Sequence, residues 1–131
     1  MGFDFGLRFT GVAVGQAITQ SANGVTTLDC KEGRPDWHQV RELIDAHKPT
    51  TLIVGLPLNM DDSESEMSVN ARQFAQQLAS KTGLPVELQD ERLTSHEADE
   101  QLESARQQGR AKTDHELAAC LILEQYLGQL A

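Results

Sequence analysis

The spacing of hydrophobic positions changes after Cys30, and the two parts of the chain predict different elements. Up to that point, apolar and β-branched residues form short runs or alternate with polar ones, a pattern typical of β-strands. Gly6 and Gly11 bracket a tight connection between the first two runs, which predicts an antiparallel hairpin. The predicted strands cover residues 2–5, 10–16 and 24–30.

A helix and a buried strand are predicted next. Residues 36–48 place four hydrophobic side chains at helical spacing, and Pro49 ends this helix. Residues 51–58 form a continuous apolar run, as expected of a strand that is covered on both faces. Pro57 has no backbone N–H to offer a neighbouring strand, so the strand is predicted to end or bulge there.

The second half of the chain predicts three helices and one more strand. Val69, Phe74 and Leu78 define the core side of a helix that Gly83 and the following proline close. A strand follows that begins at residues 86–88 and ends at residues 89–92, and capping boxes open two further helices, over residues 94–108 and from residue 113 onwards. The hydrophobic residues of the last helix that are predicted to face the core are Leu117, Leu121, Ile122 and Leu127.

The order β-β-β-α-β-α-β-α-α predicts an α/β fold. An antiparallel three-strand meander followed by alternating strands and helices implies a mixed five-stranded sheet with helices on both faces. The length of 131 residues suits a single domain, so residues 1–131 are predicted to form one.

Composition narrows the class of protein. No apolar run approaches the roughly 20 residues of a membrane span, and no signal peptide opens the chain, so a cytoplasmic protein without a membrane contact is predicted. Cys30 and Cys120 lack metal or redox spacing and are interpreted as reduced packing residues. The four histidines show no ligand spacing either. The net charge of −9 argues against a nucleic-acid-binding protein unless basic residues are concentrated locally.

Three carboxylates are the candidate catalytic and metal-binding residues. Asp4 stands between two phenylalanines in a predicted central strand, where burial is costly unless the charge is paired or bound to a metal. Glu91 follows the last strand and Asp114 opens the last helix. Singly, each allows a structural explanation: a turn for Asp4, a solvated ion-pair cluster for Glu91, and the helix dipole for Asp114. If they converge at one sheet edge, their oxygens suit Mg²⁺ or Mn²⁺ and phosphodiester hydrolysis.

Basic and amide side chains lie close in sequence to these acids. Asn59 follows the apolar strand and is either a substrate contact or part of an Asx turn. Local cations can attract phosphate although the whole chain is acidic. The candidate nucleic-acid-binding residues are Arg8, Asn59, Arg92, Arg110 and Lys112.

Four segments in series resemble the YqgF family of bacterial proteins. They are D-F-G-x-R-x-x-G-V-A-V-G at residues 4–15, I-V-G-L-P-L-N-M-D at 53–61, D-E-R-L-T at 90–94 and K-T-D-x-x-x-A-A-x-x-I-L-x-x-Y-L at 112–127. The family is described as Holliday-junction-resolvase-like and as a nuclease for the precursor of small-subunit ribosomal RNA. The resemblance implies a ribonuclease H-like fold, a cytoplasmic nuclease that trims the 5′ end of the 16S precursor, and Asp4, Glu91 and Asp114 as its acids.

This chain departs from the family pattern at a few positions. Leu7 replaces a small hydroxyl residue, Phe9 is bulkier than usual, Asp62 replaces a glycine, and Ala111 interrupts a basic run. None of these removes an acid, so they affect the expected grip on the substrate more than the chemistry.

Three other functions fit parts of the pattern. A resolvase for branched DNA would keep the fold and need two sites related by a two-fold axis, so both monomer and homodimer remain open. A non-catalytic module that binds RNA or the transcription machinery fits the acidic charge. Nucleotide binding is suggested by D-x-G-x-x-x-x-G, but the proteins that use it enclose ATP between two domains.

Overall fold

The computed structural model describes residues 1–57, 65–90 and 112–130, the last segment with side chains from His115 onwards. Within these residues the chain forms six strands and three helices. The strands are β1 (Gly2–Asp4), β2 (Phe9–Gln16), β3 (Ser21–Lys31), β4 (Arg34–Pro35), β5 (Leu52–Leu56) and β6 (Val86–Asp90). The helices are α1 (Trp37–His47), α2 (Glu66–Thr82) and α3 (Lys112–Gln129).

The strands form one mixed sheet in the order β4-β3-β2-β1-β5-β6. Strands β1 to β4 pair antiparallel in sequence order, which confirms the predicted meander and the hairpin between the first two strands. Strands β5 and β6 extend the sheet from β1 in parallel. The short β1 is therefore central, with β2 on one side and β5 on the other.

The predicted count of five strands is wrong by one, because β4 was not foreseen. Glu32 and Gly33 both have positive φ, at 53° and 83°, and turn the chain back onto the end of β3. The resulting strand has only two residues, too few for any alternation to show in the sequence. Pro35, which lacks an N–H, is tolerated there because β4 is an edge strand.

Helix α1 has the ends that its sequence predicts. The carboxylate of Asp36 accepts a hydrogen bond from the backbone N–H of His38 at 3.0 Å, which caps the helix amino terminus. Lys48 adopts the left-handed conformation with φ of 48°, and Pro49 follows it. Strand β5 likewise ends at Leu56, directly before Pro57, as predicted.

Two layers of helix cover the sheet. Helices α1 and α2 pack on one face, where Phe3, Val54, Val40 and Phe74 belong to the larger core. Helix α3 packs on the other face, where Ala13 and Ile53 meet a smaller core that its own side chains complete. The prediction of helices on both faces of the sheet is confirmed.

Several details of the helix faces differ from the prediction. Val69 of α2 is 44% exposed and Leu117 of α3 is 42% exposed, so neither contributes to the core as expected. In α3 the buried side includes Ala118 and Ala119, which are 1% and 0% exposed. The helix also includes Thr113 in its first turn and does not start after it.

The predicted helix over residues 94–108 lies outside the described residues. Both cysteines are free thiols and half-buried, as expected of packing residues. Burial raises the pKa of the Cys30 and Cys120 thiols, since a thiolate would lose solvation inside the fold. In the part of the chain that the structure describes, no helix is both long and apolar enough to cross a membrane.

Candidate functional site

Asp4 lies at the carboxyl end of the central strand β1 and is buried, with 2% of its surface exposed. The neighbouring Phe3 and Phe5 rings pack against Phe74 of α2, with ring centroids 5.9 and 5.1 Å apart. Because successive side chains of a strand point to opposite faces, this packing directs Asp4 to the face that α3 covers. The two phenylalanines that flank Asp4 therefore determine where its carboxylate lies.

The carboxyl ends of the three parallel strands lie at the same sheet edge as Asp4. Phe3 pairs with Val54 in β5, and Val54 pairs with Leu88 in β6, so the strands are in register across this part of the sheet. Asp90 pairs with Leu56 of β5, so the two side chains point to the same face of the sheet. The side chain of Leu56 belongs to the core on the α1–α2 face. Asp90 therefore belongs to the face opposite Asp4.

Gln89 belongs to the α3 face instead. It precedes Asp90 in β6, so the alternation of the strand turns it to the side that Asp4 occupies, and it is 5% exposed. The tyrosine hydroxyl of Tyr126 in α3 donates to the carboxylate of Glu87, two residues earlier on the same face. The side chains of the odd-numbered residues of β6, Glu87 and Gln89, therefore face α3.

Helix α3 approaches the sheet at glycines. A Cβ atom on Gly11, which pairs with Asp4 across the hairpin, would lie 1.9 Å from the carbonyl oxygen of His115. A Cβ atom on Gly2 would lie 3.0 Å from the Cβ of Leu123, further along the helix. These contacts bring the first turn of α3 against β1 and β2 at the level of Asp4.

His115 is the residue of α3 that reaches Asp4. Its Nδ1 lies 3.1 Å from Oδ2 of Asp4, and the two side chains are 10% and 3% exposed. The imidazole also packs against the ring of Phe9, with centroids 5.7 Å apart. The Arg8 guanidinium lies over the Phe9 ring, 5.3 Å from its centroid.

His115 is not among the residues predicted from the sequence, because the spacing of the histidines alone shows no ligand pattern. The two partners are 111 residues apart in the chain, and only the docking of α3 brings them together. One signal was available: His115 directly follows Asp114, a candidate acid in the first turn of the last helix. Once the segments that contain Asp4 and His115 are assigned to one site, a contact between this buried acid and this histidine can be predicted.

The structure locates some of the predicted site residues and leaves others outside its described part. Asp4 is buried at the sheet edge, and Arg8 is exposed. Asp114 and Lys112 lie in the first turn of α3, but their side chains are outside the described residues. Glu91, Asn59, Arg92 and Arg110 lie wholly outside the described residues. Among the described side chains, no group of three or more His, Cys, Asp or Glu residues is arranged to hold a metal ion.

Comparison with solved structures defines the class of fold. The chain is similar to Thermus thermophilus RuvC in complex with a Holliday junction substrate, with a TM-score of 0.57 at 14% identity, covering 98% of this chain and 92% of that one. A second Thermus thermophilus RuvC structure matches with a TM-score of 0.50, again at 14% identity, covering 98% and 93% of the two chains. The protein therefore has the ribonuclease H-like α/β fold that its sequence predicted.

Sequence comparison then defines the family. The model of the RuvX family, described as Holliday junction resolvase, matches residues 1–129. Relatives named "Putative pre-16S rRNA nuclease" include one from Nitrosococcus oceani, 50% identical over 128 residues, which cover 97% of this chain and 84% of the relative. Another, from Azotobacter vinelandii, is 46% identical over 131 residues, or 98% and 92% of the two chains. The chain belongs to the RuvX family and is a nuclease of that family, which confirms the resemblance to YqgF proteins.

Proposed function

We propose that this protein hydrolyses phosphodiester bonds in structured RNA with the help of a divalent metal ion. Its proposed substrate is the precursor of 16S ribosomal RNA, which it would trim at the 5′ end. The observation that carries this proposal is the buried Asp4 carboxylate at the edge where the parallel strands end, beside the first turn of α3. The name of its relatives supports the choice of substrate. Residues 1–131 would form one cytoplasmic nuclease domain.

The proposed catalytic acids are Asp4, Glu91 and Asp114. Asp114 directly precedes His115 in α3, and His115 contacts Asp4, so the first turn of the helix is close to the buried carboxylate. Glu91 directly follows β6, which ends at the same sheet edge as β1. The alternation along β6 turns Gln89 to the face of Asp4 and Asp90 away from it, which favours Glu91 over Asp90 as the second acid.

The residues of this site fit a hard divalent cation. Asp4 is a carboxylate with only 2% of its surface exposed, and its two proposed partners are also oxygen donors. Carboxylate oxygens suit Mg²⁺ and Mn²⁺, whereas zinc favours thiolates, and none of the three proposed ligands is a cysteine. When bound, such ions supply an activated water and stabilise the oxygen that leaves the phosphorus.

The side chains around the acids would bind and orient the nucleic acid. Arg8 is exposed, and its guanidinium lies over the ring of Phe9, the same ring that packs against the imidazole of His115. The planar guanidinium presents its N–H groups in a fork that can make bidentate contact with a phosphate. Arg92, Arg110, Lys112 and Asn59 are proposed as further nucleic-acid contacts on the strength of their positions next to the acids in the sequence.

The direct test is cleavage of two labelled substrates, a 16S precursor carrying its 5′ extension and a four-way DNA junction, with Mg²⁺ or Mn²⁺ present. Asp4→Asn keeps the shape of the side chain and removes the charge. It should lower RNA cleavage by about 100-fold or more, since even groups that only support metal ligands contribute 10–100-fold. Asp45→Asn, an exposed aspartate on α1, is the matched control and should cleave like the unaltered protein.

Each remaining outcome has a definite meaning. Equal cleavage by Asp4→Asn and the unaltered protein would show that the proposed site is wrong. Cleavage of the junction alone would assign the protein to branched DNA, an alternative favoured by the family description and by the RuvC fold. That alternative also requires a dimer, which sedimentation would reveal. Binding of RNA without any cleavage would favour the non-catalytic module.

A further inference from the structure

We propose that His115 is a positioning residue that holds the Asp4 carboxylate in the orientation needed to bind the metal ion. This inference rests on the proposed function, because it assigns a task to His115 within the same site. The first observation is the contact between His115 Nδ1 and Asp4 Oδ2 at 3.1 Å. In the ionised form that would bind a cation, the Asp4 carboxylate only accepts hydrogen bonds, so Nδ1 would be the donor in this contact.

The burial of the pair makes this contact effective. The side chains of His115 and Asp4 are 10% and 3% exposed, so water competes little for the carboxylate oxygen. A hydrogen bond to one oxygen of a carboxylate limits the rotation of its plane about the Cβ–Cγ bond. The contact with His115 therefore fixes the direction in which the carboxylate oxygens of Asp4 point at the sheet edge.

The imidazole is itself held in place by its neighbours. The Phe9 ring packs against it at a centroid distance of 5.7 Å and an angle of 56° between the planes. Gly6 lies on another side, where an added Cβ would come within 3.4 Å of the imidazole Cε1. The backbone of His115 abuts Gly11, which leaves no room for β2 to carry a side chain there. A ring confined in this way can fix the orientation of Asp4.

Histidine in this role resembles the supporting groups that surround metal ligands in other proteins. Such groups do not touch the metal; they hold a ligand in the binding orientation, and their loss typically lowers metal affinity or activity by about 10–100-fold. His115 should accordingly affect the binding of the metal ion in the absence of nucleic acid.

The experiment compares two amides at position 115 by measuring Mn²⁺ binding to the full chain without nucleic acid, by calorimetry. An asparagine amide can occupy the place of Nδ1 and donate to Asp4, whereas a glutamine amide reaches past it. We expect His115→Gln to weaken Mn²⁺ binding by about tenfold or more, and His115→Asn to restore most of the affinity. Urea unfolding of the metal-free variants checks that both are folded.

Two results would overturn the inference while leaving the proposed function intact. The first is Mn²⁺ affinity in His115→Gln equal to that of the unaltered protein. The second is equal loss in the asparagine and glutamine variants, which would show that a donor at the Nδ1 position is not what matters. If His115→Gln does not fold, His115→Leu, which keeps the bulk without a donor, takes its place with the same expectation.

Asp4→Asn separates this inference from the proposed function. It should abolish the same Mn²⁺ binding, because it removes the charge of a proposed ligand. If the unaltered protein binds no Mn²⁺, or if Asp4→Asn binds it equally well, the metal site itself is wrong and the role of His115 falls with it. If Asp4→Asn loses binding and His115→Gln keeps it, only the role of His115 is wrong.

Discussion

Gly11 shows how one residue controls the approach of a helix to the candidate site. It pairs with Asp4 across the hairpin, and an added Cβ would lie 1.9 Å from a backbone oxygen of His115. Backbone atoms cannot rotate away as the end of a flexible side chain can, so a substitution there must move α3 or β2. The same movement would separate His115 from Asp4.

We therefore expect Gly11→Ala to destabilise the protein by about 1–3 kcal/mol or more, the usual cost of overpacking a filled interior. It should also weaken Mn²⁺ binding, because it shifts the first turn of α3. Urea unfolding and calorimetry measure the two effects.

Gly128→Ala is the matched control, since Gly128 lies near the end of the same helix and an added Cβ would meet nothing within 4 Å. That change should stabilise the protein by up to about 1 kcal/mol, because alanine favours a helix more than glycine does. Unfolding of Gly11→Ala at the same urea concentration as the unaltered protein would show that α3 can move without cost.

At the level of the elements, Ser65 connects the end of β5 to the start of α2. Its hydroxyl donates to the carbonyl oxygen of Pro57 at 2.7 Å and accepts from the backbone N–H of Ser68 at 2.9 Å. One side chain thus caps the helix and joins the two ends of the segment that contains Asn59. Both the stability of α2 and the contact between Pro57 and Ser65 depend on it.

Ser65→Ala should lower the free energy of unfolding by about 1–2 kcal/mol, the range for loss of a helix amino-terminal cap. It should also raise KM for the RNA more than it lowers kcat, if Asn59 contacts substrate as proposed. Asp36→Ala, which removes the cap of α1, is the comparison: it should cost a similar free energy and leave KM unchanged. Equal effects of both variants on KM would argue against a substrate contact in the segment after β5.

The elements also differ in how well the sequence predicted them. Helix α1 was predicted within one residue at each end, because Asp36 and Pro49 are local signals that act through the backbone beside them. The buried side of α3 was predicted less well, and Leu117 proved exposed. Helical spacing shows which residues lie on the same side of a helix. Which side of α3 faces the sheet depends on Gly11 and Gly2, where the absence of side chains lets the helix approach.

At the level of the whole molecule, the net charge of −9 limits how the protein can bind nucleic acid. Affinity that depends on phosphate neutralisation must come from a few cations near the site. Four basic residues are proposed there: Arg8, Arg92, Arg110 and Lys112. The number of such contacts can be measured from the salt dependence of the binding affinity. Each neutralised phosphate of a single strand contributes about 0.7 to the slope of log affinity against log salt.

We therefore expect a slope no steeper than about −3 for single-stranded RNA, which is four contacts at that contribution each. Arg8→Gln should make the slope shallower by about 0.7 and weaken binding to all sequences alike. Fluorescence anisotropy at several salt concentrations, with Asp4→Asn present in every protein to prevent cleavage, gives the slope. Lys81→Gln is the control, because Lys81 lies at the end of α2 that leads to the amino end of β6, away from the site. An unchanged slope in Arg8→Gln would remove Arg8 from the proposed interface.

The sequence by itself determined the class of fold, the antiparallel meander, the ends of α1 and β5 and the place of Asp4 in the central strand, because each depends on residues adjacent in the chain. It also carried the family motifs that the comparisons confirmed. The tertiary structure alone decided that His115 contacts Asp4 and that α3 presents alanines to the sheet. These features depend on the distance between elements far apart in sequence, and that distance is set by packing against glycines and phenylalanines whose partners no local pattern reveals.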